Sequence, residues 1–264
     1  MSPEGTAQGR VLREDLGGGL CQLTLSNARQ RNALTASMLE ALKEAFSTAK
    51  EVRAWLICGE GQKAFCAGYN IENLKPYAPG ELLPDERVHE ALCALEAHPA
   101  PSLALLCGFA FGAGLELAAA CDFRVSDSTG IFCMPPARLG LAYPLGGIGR
   151  LSNLIGLGRA KQMFLTGKQV LAPEALAWGL LTELRPTFEE ARACALELCR
   201  GLAEGAPLAM QGMREALRAH ASGERDAETL ARLREGRRVA YNSEDAREGR
   251  AAFLEKRPPQ FKGR

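Results

Sequence analysis

The stretch from Gly108 to Asp122, GFAFGAGLELAAACD, leaves this chain few options. The apolar run Ser102–Cys107 ahead of it reads as a strand. That strand feeds the small-residue turn Gly112-Ala113-Gly114, and a short helix follows at once, carrying Glu116 among Leu115, Leu117 and three alanines. A glycine turn between strand and helix brings bare backbone N–H groups close to whatever sits there. The first N–H groups of a helix lack intrahelical acceptors and carry partial positive charge, which suits a developing oxyanion. The bland alternative is that the glycines only permit tight packing and that Glu116 faces solvent. Against it, both flanks of Glu116 are apolar and no neighbouring cation in the sequence offers a partner.

Hydrophobic periodicity extends the pattern on both sides. Strands are predicted at Gly19–Ser26, Ala54–Cys58, Phe123–Ser126, Ile131–Met134 and Leu180–Leu184. Helices are predicted at Ala36–Lys50 with Thr35 as N-cap, at Asp85–Ala97, at Ile148–Leu154, at Arg159–Leu165, and at Pro173–Trp178 with Pro173 in the first position. From Thr187 onward nearly everything reads as helix: Phe188–Ala203, Pro207–Ala221, Ala227–Tyr241 and Asp245–Glu255. Asn27–Asn32, Gly59–Ile71 and Arg138–Gly149 read as loops, and Glu72–Asp85 as a mobile surface loop. An alternating strand–helix part thus precedes a charged helical part, with the change near residues 185–205.

Composition excludes several classes. The chain has 264 residues, 47% of them hydrophobic, enough for one large core. The net charge of +1 gives no field favouring nucleic acid or a membrane surface. The apolar run around Ala100–Cys107 is too short to span a bilayer, and the N-terminus lacks the apolar core of a signal peptide, which points to the cytoplasm. The nine cysteines contain no CxxC pair and read as buried reduced thiols. His89, His98 and His220 share no ligand spacing and read as surface or cap residues.

Taken together, AFCAGYNI at 64–71, GFAFGAGLELAAACDFRV at 108–125 and LTGKQVLAPEALAWGLLTEL at 165–184 resemble the crotonase (enoyl-CoA hydratase/isomerase) superfamily over nearly the whole chain. The resemblance implies an α/β spiral of ββα units over residues 1–200, holding the acyl-CoA site. It also implies a C-terminal helical region, 201–264, that makes homotrimers or dimers of trimers. The implied partner is an acyl-CoA thioester, with coenzyme A arriving as part of the substrate and no separate cofactor, metal, nucleic acid or membrane. Two backbone N–H groups, by position those of Tyr69 and Ala113, would hold the thioester oxygen as it becomes an enolate, with Gly112 in the same turn. Alanine at 113, where the family usually shows glycine, keeps the N–H. For coenzyme A the resemblance points to Arg31 and Ala33, to Ala67, Gly68 and Ile71, and to Phe253 and Lys256 at the nucleotide end.

Hydratases of the family use two glutamates. Glu116 matches the first, but the second position is Pro136, which has no acid–base chemistry. Losing one of two proton-transfer groups costs on the order of 10²–10⁴ in rate. FCMPPARLGLAY at 132–143, with RVAYNSEDAREG at 238–249 and AFLEKRPPQF at 252–261, resembles the branch that decarboxylates methylmalonyl-type thioesters. The expectation is therefore an acyl-CoA decarboxylase that releases CO₂ through an oxyanion-hole-stabilised enolate. Tyr143 would orient the leaving carboxylate, Pro136 would keep the opposite wall apolar, and Glu116 would donate a proton or orient the substrate. The alternative is an enoyl-CoA hydratase/isomerase working through Glu116. Burial should raise the pKa of Glu116 and the helix N-terminus should lower it; the sequence leaves that contest open.

Overall fold

The protein is described by a computed structural model that covers residues 9–70 and 77–264. The chain alternates between two sheets. The larger receives β1 (Arg10–Asp15), β2 (Leu20–Ser26), β3 (Ala54–Gly59), β5 (Ser102–Leu106), β7 (Phe123–Asp127) and β10 (Glu183–Arg185), in the order β1-β2-β3-β5-β7-β10. Only its β1–β2 edge is antiparallel. The smaller sheet receives β4 (Ala64–Cys66), β6 (Phe109–Phe111), β8 (Ile131–Cys133) and β9 (Gln169–Leu171), in that order. One strand to each sheet and then a helix is the repeating unit. The helices are α1 (Ala36–Thr48), α2 (Pro84–Ala97), α3 (Ala113–Ala120), α4 (Leu145–Ile155), α5 (Leu157–Thr166) and α6 (Ala172–Trp178). After β10 come α7 (Phe188–Ala203), α8 (Pro207–Ser222), α9 (Ala227–Asn242) and α10 (Glu244–Glu255). This is the α/β crotonase-like architecture that the sequence implied.

The period of two along the central strands builds two cores. Trp55 and Ile57, with Ala104 and Leu106, point to the side of α1 and α2. Ala54 and Leu56, with Leu103 and Leu105, point to the opposite side, where Ala191, Ala195, Cys199 and Ala203 of α7 meet them. These four small residues recur every fourth position, so α7 lies close against the sheet. Strands covered on both faces read as continuous apolar runs, which is why they were legible.

Several expectations change. Leu196, Leu198 and Leu202 pack, partly buried, on the sheet of their own chain, whereas Met213 and Leu217 of α8 stay exposed. The segment Arg138–Gly149 is not a continuous loop: a 3-10 turn covers Pro136–Leu139 and α4 begins at Leu145, after Pro144 in an extended conformation. Glycines in the first turn of α4 lower its helix propensity and concealed its start. The last strand shifts to Glu183–Arg185, because Leu180 and Leu181 N–H still bond to Ala175 O behind α6. Pro173 is the second, not the first, residue of α6, where the N–H is equally dispensable. The edge strand β1 and the three-residue β4, β6 and β9 carry no periodic signal long enough to read. Pro84 opens α2, and the rest of the expected mobile loop falls partly on residues 71–76, outside the described residues.

His98 caps α2 and is buried. Its Nδ1 accepts from Trp55 Nε1 at 3.1 Å and from Ala100 N at 3.0 Å, so it serves the core. Six of the nine free cysteines are buried; Cys58, Cys93 and Cys194 are partly so. Among the described residues, no helix is long and apolar enough to cross a membrane.

Candidate active site

Three backbone segments meet at the N-terminus of α3. Gly112 carries φ 51° and ψ −124°, a conformation that disfavours any residue with a Cβ. Its N–H donates to Cys133 O at 2.9 Å, which ties the turn to β8. Ala113 then opens the helix with no side-chain cap, so its N–H has no intrahelical acceptor. The second segment runs past Gly68. Leu34 N donates to Gly68 O at 2.7 Å and Asn70 N donates to Leu34 O at 3.0 Å, which leaves the Tyr69 N–H outside that bridge. A Cβ on Gly68 would lie 2.9 Å from Phe111 O and 3.6 Å from Ala113 N, so the two turns pass in contact. Tyr69 and Ala113, 44 positions apart in the chain, are thereby brought to one place.

The third segment is the loop before α1. Ala67 N donates to Arg31 O at 3.0 Å, and the Arg31 guanidinium lies over the Phe109 ring at 5.0 Å. Ala33 is buried and its carbonyl accepts from Asn27 Nδ2 at 2.8 Å. Arg31, Ala33, Ala67 and Gly68 therefore gather around one turn. What holds them is Asn32, buried and left-handed at φ 57°. Its side chain donates to Glu60 O at 3.0 Å and Ala64 O at 2.9 Å and accepts from Asn27 N. Sequence reading passed over Asn32 as loop; the available signal was an amide flanked by turn residues, able to staple three backbone groups. Ile71 lies outside the described residues. Phe253 and Lys256 stand exposed on and just after α10. Among the described residues, the polar contacts of that helix run to its own C-terminal tail, where Asp245 accepts from Lys262 N and Gly263 N, and not to the site.

Every residue of α3 is buried, Glu116 included. Its Oε2 accepts from Tyr143 Oη at 2.5 Å and its Oε1 accepts from Arg150 Nη1 at 2.8 Å. The missing cation is thus supplied by α4, 34 positions on. The chain reaches it only because Gly147 has no side chain. A Cβ there would lie 2.4 Å from Tyr143 Cε1 and 2.9 Å from Glu116 Oε1. The Tyr143 ring rests on Phe164, centroids 5.4 Å apart. The open question of the Glu116 pKa resolves upward: burial raises it, and the Tyr143 hydroxyl and Arg150 only partly oppose that. Burial, then the Glu116 charge, holds the Tyr143 pKa well above its ordinary 10, so its hydroxyl stays protonated and donates. Burial pulls Arg150 down, but Glu96 and then Glu116 outweigh it and keep the guanidinium charged. Pro136 is buried in the 3-10 turn that leaves β8, the strand paired through Cys133 with Phe111 just before Gly112. A cavity of about 390 Å³ opens beside Tyr69, walled by Ala36, Leu82, Pro84 and Arg87. The arrangement combines two backbone donors without an acceptor among the described residues with one buried, doubly hydrogen-bonded carboxyl group. It can hold an anionic oxygen and move a proton.

The family model for Enoyl-CoA hydratase/isomerase matches residues 15–264. Carnitinyl-CoA dehydratase of Salmonella typhi is 36% identical over 259 residues, covering 94% of this chain and 96% of the relative. Among solved structures, an enoyl-CoA hydratase/carnithine racemase from Magnetospirillum magneticum superposes with a TM-score of 0.86 at 27% identity, over 97% of this chain and 96% of that one. A putative enoyl-CoA hydratase from Streptomyces coelicolor superposes with a TM-score of 0.84 at 32% identity, over 100% of both chains.

Proposed function

The chain belongs to the enoyl-CoA hydratase/isomerase family and is an enzyme of acyl-CoA chemistry; from that premise we propose that Glu116 removes and returns a proton beside the thioester carbonyl of an enoyl-CoA. In this reading the N–H groups of Tyr69 and Ala113 hold the carbonyl oxygen while it carries the charge of the enolate. The thioester is the electron sink. The cavity beside Tyr69 takes the acyl chain. Of the reactions in the class, migration of a double bond from the 3- to the 2-position is the one a single carboxyl group completes, because the same base takes a proton at Cα and delivers it at Cγ. Hydration needs water activated as well, and Pro136 supplies no second carboxyl for it.

The observation that carries this reading is the engagement of Tyr143. A phenol has one proton, and here it is donated to Glu116 at 2.5 Å. Decarboxylation of a methylmalonyl-type thioester asks that proton to be offered to the substrate's carboxylate instead. That carboxylate would also enter a pocket where Glu116 and Glu96 already share one guanidinium. The relatives quoted above are named for dehydration and hydration, which supports enoyl-CoA chemistry over decarboxylation. Decarboxylation is kept as a second reading on the strength of Pro136, which leaves the opposite wall apolar.

A panel decides. The protein is incubated with 3-hexenoyl-, crotonyl-, 3-hydroxybutyryl- and methylmalonyl-CoA, and products are weighed by mass spectrometry and resolved by chromatography. Conversion of the 3-enoyl thioester to its 2-enoyl isomer is expected, with interconversion of the crotonyl and hydroxybutyryl pair far slower because Pro136 supplies no second carboxyl. CO₂ release from methylmalonyl-CoA with neither of these would replace this reading by the second.

A further inference from the structure

We propose that Glu96 and Arg150 act together as positioning residues for Glu116, aiming its carboxylate and dividing the positive charge that reaches it. The proposal rests on the reading of Glu116 as the acid–base group. Arg150 uses its whole fork. Nε and Nη2 donate to Glu96 Oε1 and Oε2 at 2.7 and 2.8 Å, and the remaining Nη1 donates to Glu116 Oε1 at 2.8 Å. A guanidinium clamped at two nitrogens cannot rotate, so the third N–H points in one direction. With Tyr143 on Oε2, the carboxylate of Glu116 is fixed at both oxygens. The Arg150 side chain is 8% exposed and that of Glu116 2%, so water does not substitute for either partner.

Glu96 is itself anchored. Its backbone carbonyl accepts from Arg218 of α8, and that of His98, two residues on, accepts from Arg214. Arg214 also grips Asp122 at 2.9 Å, just beyond α3. The C-terminal helices thus hold the end of α2 against the element that bears Glu116.

Two carboxylates share one guanidinium, so Arg150 approaches Glu116 already bound by a fork to Glu96. The other titratable groups around this cluster are His89, which bears on Glu116, Cys93 beside Arg150 and Glu96, and Tyr143 with Asp85 behind it. Removing the negative charge of Glu96 leaves Arg150 undivided for Glu116 and lowers the proton affinity of Glu116. Removing Arg150 does the reverse. A purely structural role predicts otherwise for Arg150: its substitution would admit water and relax Glu116 downward toward its ordinary value.

The test reads the proton on Glu116 directly. Carbon-13 labelled glutamate is titrated by NMR, and the Glu116 signal is assigned by its loss in Glu116→Gln. The expected midpoint moves down in Glu96→Gln and up in Arg150→Met. Arg150→Lys, which keeps the charge and loses the fork, is expected to fall between parent and Arg150→Met. On a substrate the parent turns over, Arg150→Met is expected to lose on the order of 10²-fold in kcat, and Arg150→Lys to recover part of it. A midpoint that is unchanged or lower in Arg150→Met, or unchanged or higher in Glu96→Gln, overturns the proposal. Should Arg150→Met not fold, Arg150→Lys carries the decision: its midpoint is expected above that of the parent, and one that is unchanged or lower overturns the proposal. Inactivity of the parent on every thioester of the panel would remove the proposed reaction and leave the titration result standing.

Discussion

Glu116 is held at both carboxylate oxygens, and each contact favours its ionised form against the pull of burial. Tyr143→Phe removes one of them. A hydrogen bond to a charged group contributes about 1.5–3 kcal/mol, so kcat is expected to fall roughly 10- to 10²-fold with little change in KM. The sign of the pH effect is also fixed. Loss of a donor raises the proton affinity of Glu116 further, so the acid limb of the kcat profile, which reports the ionised base, moves to higher pH. A pH–rate series on the variant and the parent measures both; coincident profiles would remove Tyr143 from the machinery. At this scale the local chemistry was legible in the sequence and the long-range chemistry was not. Glu116, Gly112 and Ala113 lie within one short strand–turn–helix, so their closeness was readable, while the roles proposed for them came from the family resemblance. Arg150 lies 34 positions from its partner, on a helix whose glycines disguise it, and no local pattern links the two.

The element that makes the site is α3. It begins at a glycine whose backbone few other residues can adopt, so its first N–H is free of any capping side chain. Ala113→Pro isolates that N–H. Proline is well tolerated at the first helical position and lacks only the donor. The expected result is a loss of about 10²–10³ in kcat with helix content retained, as circular dichroism and thermal melting would check. Unaltered turnover in a folded Ala113→Pro would show that the thioester oxygen is held elsewhere. Elements with strong periodicity, such as α7, were readable to their ends, because α7 buries one stripe and Thr187 caps it with Glu190. Of the short strands of the smaller sheet, β8 was readable and β4, β6 and β9 were not. Three residues cannot display a period, and their positions are set by pairing, as Phe111 with Cys133.

On the scale of the molecule, the central strands of the spiral are covered on both faces, while Leu145, Leu157, Leu165 and Leu171 of the spiral and Met213, Leu217, Leu230, Tyr241, Phe253 and Leu254 of α8 to α10 stay in solvent. Apolar side chains in that number mark an association surface. The resemblance implies the stoichiometry: a homotrimer or a dimer of trimers is expected, measured by light scattering at micromolar concentration, with a monomeric mass as the contrary result. The sequence revealed that these helices exist but not which of their faces are covered, since Leu196 and Met213 look alike until the sheet takes one of them. The central claim, that Glu116 moves a proton beside the thioester carbonyl, is tested most directly by solvent exchange. Parent and Glu116→Gln are incubated with 3-hexenoyl-CoA in deuterated buffer, and deuterium in the thioester is followed by mass. The account predicts deuterium uptake by the parent and a loss of about 10²–10⁴ in its rate in Glu116→Gln; equal uptake by the two proteins would contradict it.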